Sequence, residues 1–549
     1  MFVMLLMTNV TTSSPRIAAP VYDPRLVRAA IAMNENDLPT AEPLLRSLLK
    51  DDPFDVRAIR LFAELAGRIG RYNDAENLLR RAIELAPQFT AARANLALVL
   101  YRTNRAPEAL EELAKVTADD PDNAGHANLQ AAAYGRIGEF DEALALYQQV
   151  LRQAPNQPRV WMSYGHMLKT VGRQAEGIAA YRKAIELLPV LGEAWWSLAN
   201  LKTVKFTDED IAAMQQALAR TDLAVEDRWH LDFALGKAFE DRGEAETSFA
   251  HYAAGNELRR RRMPYRAEDT TQNVNAAIAA FTPAVVAGLQ GKGCAAHDPI
   301  FVLGMHRAGS TLVEQILSSH SQVEGTSELS DIGFLARSVE GYPEAISALD
   351  GEELRKLGEA YLARTRVQRH TGRPMFIDKM PNNWLHVPFI HAILPNAKII
   401  DARRHPLACC FSNFKQHFAR GQGFSYSLDD MGRYYRDYVR AMAHFDQVLP
   451  GVVHRVIYER MVEQTEAEVR ALLAHCGLPF EESCLAFHET ERAVRTASSE
   501  QVRRPIFRDG TEAWKPFEQW LKPLKSVLGE VLEAYPDAPA DFGTDIVVN

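Results

Sequence analysis

Five prolines, Pro53, Pro87, Pro121, Pro155 and Pro189, stand 34 residues apart, and this period constrains the fold more tightly than any other property of the chain. It also places Asn36, Gly70, Asn104, Gly138 and Gly172 at one phase and Ala41, Ala75, Ala109, Ala143 and Gly177 at another. Glycine and asparagine accept the left-handed backbone by which a chain leaves a helix, and a small residue lets two helices approach closely. Proline cannot continue a helix interior and closes the second helix of each unit. A stretch such as YGRIGEFDEALALYQQVLRQAPNQ therefore reads as two apolar-striped helices around a turn. Units of this kind at a fixed period form an array in which each buries its apolar face against its neighbours.

The pattern resembles the tetratricopeptide repeat. The period is regular over residues 26–202, breaks around 203–230 and is followed by one more pair, FALGKAFEDRGEAETSFAHYAAGNEL, so that about six helical pairs are expected. The expected organisation is a flexible N-terminus (1–25), an all-α solenoid (26–262), a helical connector (263–295) and an α/β domain (296–549). Such a solenoid has a concave face suited to an extended peptide or protein partner, and Asn104, Tyr134 and Tyr164 are candidates to line it as well as to pack. The Arg259–Arg262 run closes the array, either as a helix end matched to the helix dipole or as a lure for an acidic acceptor.

At 549 residues the chain exceeds what one core of roughly 250–300 residues accommodates. Its 62 Lys+Arg against 71 Asp+Glu give a net charge of −9, which argues against a nucleic-acid coat. The five cysteines are an odd number without metal-ligand spacing, so a reducing compartment and no metal are expected. The opening MFVMLLM lacks the cationic flank of a signal peptide, and no later segment offers the roughly 18 apolar residues of a membrane span. The expectation is a cytoplasmic protein with no membrane association.

From Pro299 the pattern changes. PIFVLG, MFIDK, AKIIDAR and HRVIYE are β-branched runs alternating with helical segments, the signature of a parallel sheet with helices on its faces, as in P-loop nucleotide-binding folds. Ligands of such folds bind at the carboxyl ends of the strands, where Arg307, Lys379, Arg404 and Tyr458 fall. The segment FVLGMHRAGSTLVEQ (301–315) reads as strand, glycine-containing turn and helix start, an arrangement that aims backbone N–H groups at an anion. Its GxxxxGST spacing nearly matches a P-loop, but Ser310 stands where the lysine belongs, and His306 and Arg307 are the only basic residues in the turn. A P-loop kinase or nucleotide triphosphatase remains one reading, and a non-enzymatic repeat scaffold another.

These elements together resemble the sulfotransferases that use 3′-phosphoadenosine 5′-phosphosulfate (PAPS), over about residues 295–520. HRAGSTL is similar to the family's 5′-phosphosulfate loop, which implies that Arg307, Ala308, Gly309, Ser310 and Thr311 hold that group. IIDARRHPLACCFSNF is similar to the 3′-phosphate signature, implying Arg404 and Ser412, and VIYERM implies Tyr458 near the adenine. Glu328, 21 residues beyond Arg307, and the segment SSEQVRRP resemble the tyrosylprotein class, implying Glu328 as base, Ser498 as catalytic serine and Arg504 in place of a lysine. FRDGTEAWK implies Arg508 and Gly510 at the 3′-phosphate. The resemblance thus implies PAPS as co-substrate, a peptide, protein or glycan hydroxyl as acceptor, and Lys379 beside the transferred group.

The chemistry is consistent with those residue types. A buried carboxylate takes the acceptor proton, and cations and hydroxyls meet the charge that grows on the leaving phosphate. Glu314, Glu324 and Asp331 are rivals of Glu328, and Ser499 of Ser498. Trp384, Phe411 and Trp514 read as core or pocket wall, and His405 and His417 as contacts or solvated side chains.

Overall fold

The computed structural model describes residues 23–419, 421–494, 496, 498–506 and 510–542. Its contacts divide the chain into two units, Met1–Met167 and Leu168–Asn549. In the first, helices pair in succession: Pro24–Asn34 with Leu38–Asp51, Val56–Arg68 with Tyr72–Leu85, Thr90–Arg102 with Ala106–Asp119, and Ala124–Ile137 with Phe140–Gln153. The periodic turn residues Asn36, Gly70, Asn104 and Gly138 all have left-handed φ, between 60° and 97°. At each, the next N–H reaches the carbonyl five residues back: Asp37 to Ala32, Arg71 to Ala66 and Arg105 to Leu100 at 2.8 Å, and Glu139 to Tyr134 at 3.0 Å. These bonds satisfy carbonyls that a helix end leaves open. Ala41, Ala75, Ala109 and Ala143 are fully buried at the helix crossings.

The second unit begins with the same architecture. Gly172 and Gly243 again take left-handed φ, and helices run through Gln174–Leu187, Gly192–Asn200, Asp208–Leu218, Val225–Asp241 and Ala245–Arg262. The break in period around 203–230 contains the Asp208–Leu218 helix, opened by a reciprocal cap between Thr207 and Asp210. The helices of the expected connector, Ala267–Ala280 and Pro283–Leu289, do more than connect. Val274, Ala277, Phe281 and Leu289 belong to the core beneath one face of the sheet.

That sheet has five parallel strands, β1 (Pro299–Gly304), β2 (Val323–Ser327), β3 (Met375–Asp378), β4 (Lys398–Arg403) and β5 (Val453–Ile457), in the order β2-β3-β1-β4-β5. Four match the β-branched runs. The fifth, β2, reads VEGTS and escapes an apolar-pattern search because only its first two residues are buried. Alternate residues serve opposite faces: Phe301, Leu303, Phe376 and Ile399 enter one core, Ile300, Val302, Ile377 and Ile400 the other. Among the described residues no helix is long and apolar enough to cross a membrane.

Gly70 isolates the cost of the turn conformation, since a Cβ there would meet no atom within 4 Å. Gly70→Ala should lower unfolding stability by about 1–2 kcal/mol through backbone strain alone. Gly70→Asn should cost less, as the chain itself uses asparagine at Asn36 and Asn104; urea melts of the three proteins would separate the cases.

Candidate functional site

The site is built on the carboxyl ends of the strands. β1 ends at Gly304, whose φ is 121° and where a Cβ would stand 2.5 Å from the carbonyl oxygen of Ala402 in β4. Five residues on, Gly309 (φ 99°) caps the Ser310–Ser318 helix, and a Cβ there would come within 2.8 Å of the Tyr458 ring. Between the two glycines Arg307 has a φ of 63°, a conformation that costs a non-glycine residue energy and clusters at functional sites. The buried Ala308 closes the turn with its N–H on the Met305 carbonyl at 3.3 Å. Ser310 and Thr311, both buried, occupy the first turn of the helix, where N–H groups lack intrahelical acceptors and the helix dipole favours an anion.

Arg307 draws three segments together. Its Nε donates to Ser412 Oγ at 3.2 Å, one terminal nitrogen donates to Ser498 Oγ, and the other to Gln501 Oε1 at 3.3 Å. Its own carbonyl accepts from Arg404 Nη1 at 3.0 Å. Burial, with Arg404 nearby, lowers the guanidinium to about 10. A cation held against its own solvation gains when an anion arrives.

Arg404 follows β4 and is fixed from below. Tyr435 donates to its carbonyl at 2.9 Å, and its guanidinium lies 4.9 Å from the Tyr458 ring centre and donates to the Gly510 carbonyl. The preceding Arg403 is locked to buried Asp401 at 3.1 Å, and Asp401 also accepts from Tyr438 and Arg455. The Pro406–Phe414 helix carries Ser412 and is tied to the loop by Asn413, whose Nδ2 donates to the His306 carbonyl at 2.7 Å. Burial holds the His306 imidazole down at about 4, so it is neutral near pH 7. His405 stacks on Trp514 at 5.8 Å, and His417 packs among Trp196, His230 and Phe233.

Glu328 stands one residue beyond β2 and Lys379 one beyond β3, and Lys379 Nζ donates to the Glu328 carboxylate. Lys379 is almost wholly buried, while the Glu328 side chain is 41% exposed. Of the rivals, Glu324 accepts the His370 and Thr371 N–H groups at 2.6 and 2.9 Å, Glu314 is buried against Arg492, and Asp331 pairs with Arg364. Each of the three already has a structural partner. Ser499 is fully buried and faces Glu500, whereas Ser498 meets Arg307. Trp384 is core; Phe411 and Trp514 line the cavity described next.

A cavity of about 300 Å³ opens among these groups. Arg307, Gly309, Ser310, Thr311, Arg404, Ser412, Tyr458, Ser498, Arg504 and Gly510 all line it. Ala308, Glu328 and Lys379 do not, and Arg508 lies outside the described residues. Pattern reading missed an entire wall. Trp196, Ala199, Lys202, Lys237, Glu240 and Tyr252 come from the last helices of the repeat-like segment, and Lys415 and Gln416 from the end of the Ser412 helix. The one available signal was the broken period after residue 202. Among the described lining residues, six basic side chains (Lys202, Lys237, Arg307, Arg404, Lys415, Arg504) face one carboxylate, Glu240. That carboxylate is already engaged, by Lys415 at 2.6 Å and by the Tyr252 hydroxyl at 2.8 Å. The cavity is therefore suited to a ligand with several negative charges.

Comparison with known proteins agrees with both halves. The sulfotransferase family matches residues 299–482, and tetratricopeptide repeats match 69–133 and 128–199. An uncharacterized protein of Aquifex aeolicus is 30% identical over 421 residues, 74% of this chain and 55% of its own length. The chain thus spans little more than half of that relative. A Caenorhabditis briggsae protein named "Putative protein-tyrosine sulfotransferase" is 25% identical over 235 residues, 39% of this chain and 80% of its own. A solved tetratricopeptide-repeat protein of Thermus thermophilus is 23% identical, with a TM-score of 0.28 over 30% of this chain and 90% of its own. The chain joins tetratricopeptide repeats to a domain of the sulfotransferase family.

Proposed function

We propose that the protein is a PAPS-dependent sulfotransferase that moves a sulfuryl group to an acceptor hydroxyl by in-line transfer, with residues 296–549 as the transferase domain. The excess of basic over acidic side chains around an anion-cradling turn, with Arg307, Arg404 and Arg504 on the cavity, carries this reading. The turn lacks the lysine that a triphosphate requires. In this scheme the loop from Arg307 to Thr311 holds the 5′-phosphosulfate, and Arg404, Ser412 and Gly510 frame the 3′-phosphate. Arg508 is assigned to the same group from its place in the sequence, and Arg504 serves as a further cation. Tyr458, backed by Gly309, borders the adenine.

Glu328 takes the acceptor proton as the acceptor oxygen bonds to sulfur, and the sulfur–oxygen bond to the nucleotide breaks. The electron pair stays on the departing phosphate, where Arg307, Ser498 and Lys379 oppose the growing charge. An acceptor hydroxyl that enters beside Glu328 takes the place of its contact with Lys379. The acceptor is a protein tyrosine or a glycan hydroxyl, and the repeats present it or dock a protein partner. The likeness to the Caenorhabditis briggsae protein supports the first of these acceptors.

Calorimetric titration with adenosine 3′,5′-bisphosphate should give one saturable site. Absence of binding, or Mg²⁺-dependent ATP hydrolysis, would overturn the reading. Arg404→Ala should weaken the bisphosphate by about 2–5 kcal/mol while leaving adenosine 5′-phosphosulfate nearly unaffected. Glu328→Gln should lower turnover by about 10²–10⁴-fold with bisphosphate affinity retained. Sulfur-labelled PAPS incubated with cell extract, followed by mass analysis of the labelled product, would identify the acceptor.

A further inference from the structure

The cavity wall contributed by the repeat-like helices has a chemistry of its own. Lys202 lies just past the Gly192–Asn200 helix, and its φ of 62° makes it, with Arg307, one of two lining residues other than glycine that hold a left-handed backbone. A lysine gains nothing intrinsic from that conformation, and such strain persists where the surrounding structure fixes a side chain for use. Here it places the residue on the cavity. Burial first, and then the nearby Arg307, Lys169, Lys415 and Lys237, hold the Lys202 ammonium well below the usual lysine range. Lys415 and Lys237 carry carboxylate partners from one short stretch, Glu240 at 2.6 Å and Asp241 at 2.5 Å. Lys202, Ser412 and Lys415 line the same cavity, Lys415 follows directly on the helix that carries Ser412, and Arg307 donates to Ser412 as well as to Ser498 and Gln501.

Like charges converging on a cavity destabilise the unliganded protein, and an anion that enters removes the repulsion. The helix N-terminus at Ser310 already supplies backbone donors for one anionic group. The Ser412 side offers Arg404 and a hydroxyl, which leaves room for another cation at a dianionic phosphate.

We propose that Lys202 is a nucleotide-binding residue, delivered by the repeat-like segment, that contacts a phosphate monoester on the Ser412 side of the cavity. This rests on the PAPS reading and extends it to a residue outside the matched sulfotransferase segment, 299–482. The phosphate is the 3′ group of the nucleotide. The same chemistry at the 5′ position is the other source, and the two separate experimentally.

The test compares the wild type with Lys202→Asn and Lys202→Arg. Asparagine tolerates the left-handed backbone, so Lys202→Asn removes the ammonium without adding strain, and its thermal midpoint should equal or exceed that of the wild type. Calorimetry with adenosine 3′,5′-bisphosphate should show affinity reduced by about 10- to 100-fold in Lys202→Asn and largely retained in Lys202→Arg. Competition by adenosine 5′-monophosphate assigns the source. An unchanged monophosphate affinity places Lys202 at the 3′-phosphate, and an equal loss for both nucleotides places it at the 5′-phosphate. Bisphosphate binding that is unchanged in Lys202→Asn overturns the proposal, as does a loss accompanied by a lowered melting temperature that arginine does not rescue. If the wild type itself fails to bind the bisphosphate, the PAPS reading falls first, a result distinct from either.

Discussion

Arg307 organises the cavity of the second unit. It is held in a left-handed conformation between two glycines, each pressed against a neighbouring strand end or ring, and its guanidinium reaches Ser412, Ser498 and Gln501 while its carbonyl accepts a hydrogen bond from Arg404. Three stretches distant in sequence therefore meet at one residue: the loop after β1, the run from Arg404 to Ser412 after β4, and the segment near 500. The arrangement is self-consistent only if the loop backbone is fixed, because the same residue both gives and receives hydrogen bonds. Asn413 bonding to the neighbouring His306 carbonyl fixes it from a further direction.

The network beneath β4 does comparable work without touching the cavity. Asp401 accepts from Arg403, Tyr438 and Arg455, and against the opposing effect of burial Tyr438 and then Asp401 raise the Arg403 guanidinium above its usual range. Fully partnered buried charges of this kind contribute more to a unique geometry than to stability. Here the geometry in question is the exit of β4, which determines where the next residue, Arg404, projects.

How much of this was legible in the sequence follows from the range of the interactions. The repeats were legible because their signal is local and periodic: a turn residue at Gly70 or Asn104 is required by the backbone a few atoms away. The four apolar strands were legible for a similar reason, since burial on both faces demands β-branched runs. β2 was not, because VEGTS is buried only at its start. Glu328 and Ser498 are singled out by resemblance alone; in sequence each has close rivals, and the structure gives Glu314, Glu324 and Asp331 partners of their own, as it gives Glu328 Lys379. The wall formed by Trp196, Lys202 and Glu240 is marked in the sequence only by the broken period after residue 202, since nothing local marks a helix residue as facing a cavity a hundred or more positions away.

That wall changes where the chain can be divided. Lys415 pairs with Glu240, the Asn256 side chain donates to the Phe414 carbonyl at 2.9 Å, and Phe249 stacks on Phe414 with ring centres 5.8 Å apart. A fragment cut at the apparent seam after Arg262 would keep every recognisable transferase motif. It would nevertheless expose the back of the Ser412 helix, strand Lys415 without its carboxylate and leave the cavity open on one side. The smallest piece of this chain that closes the cavity is thus larger than the matched segment 299–482, and part of what looks like an appended scaffold is the cavity's own floor.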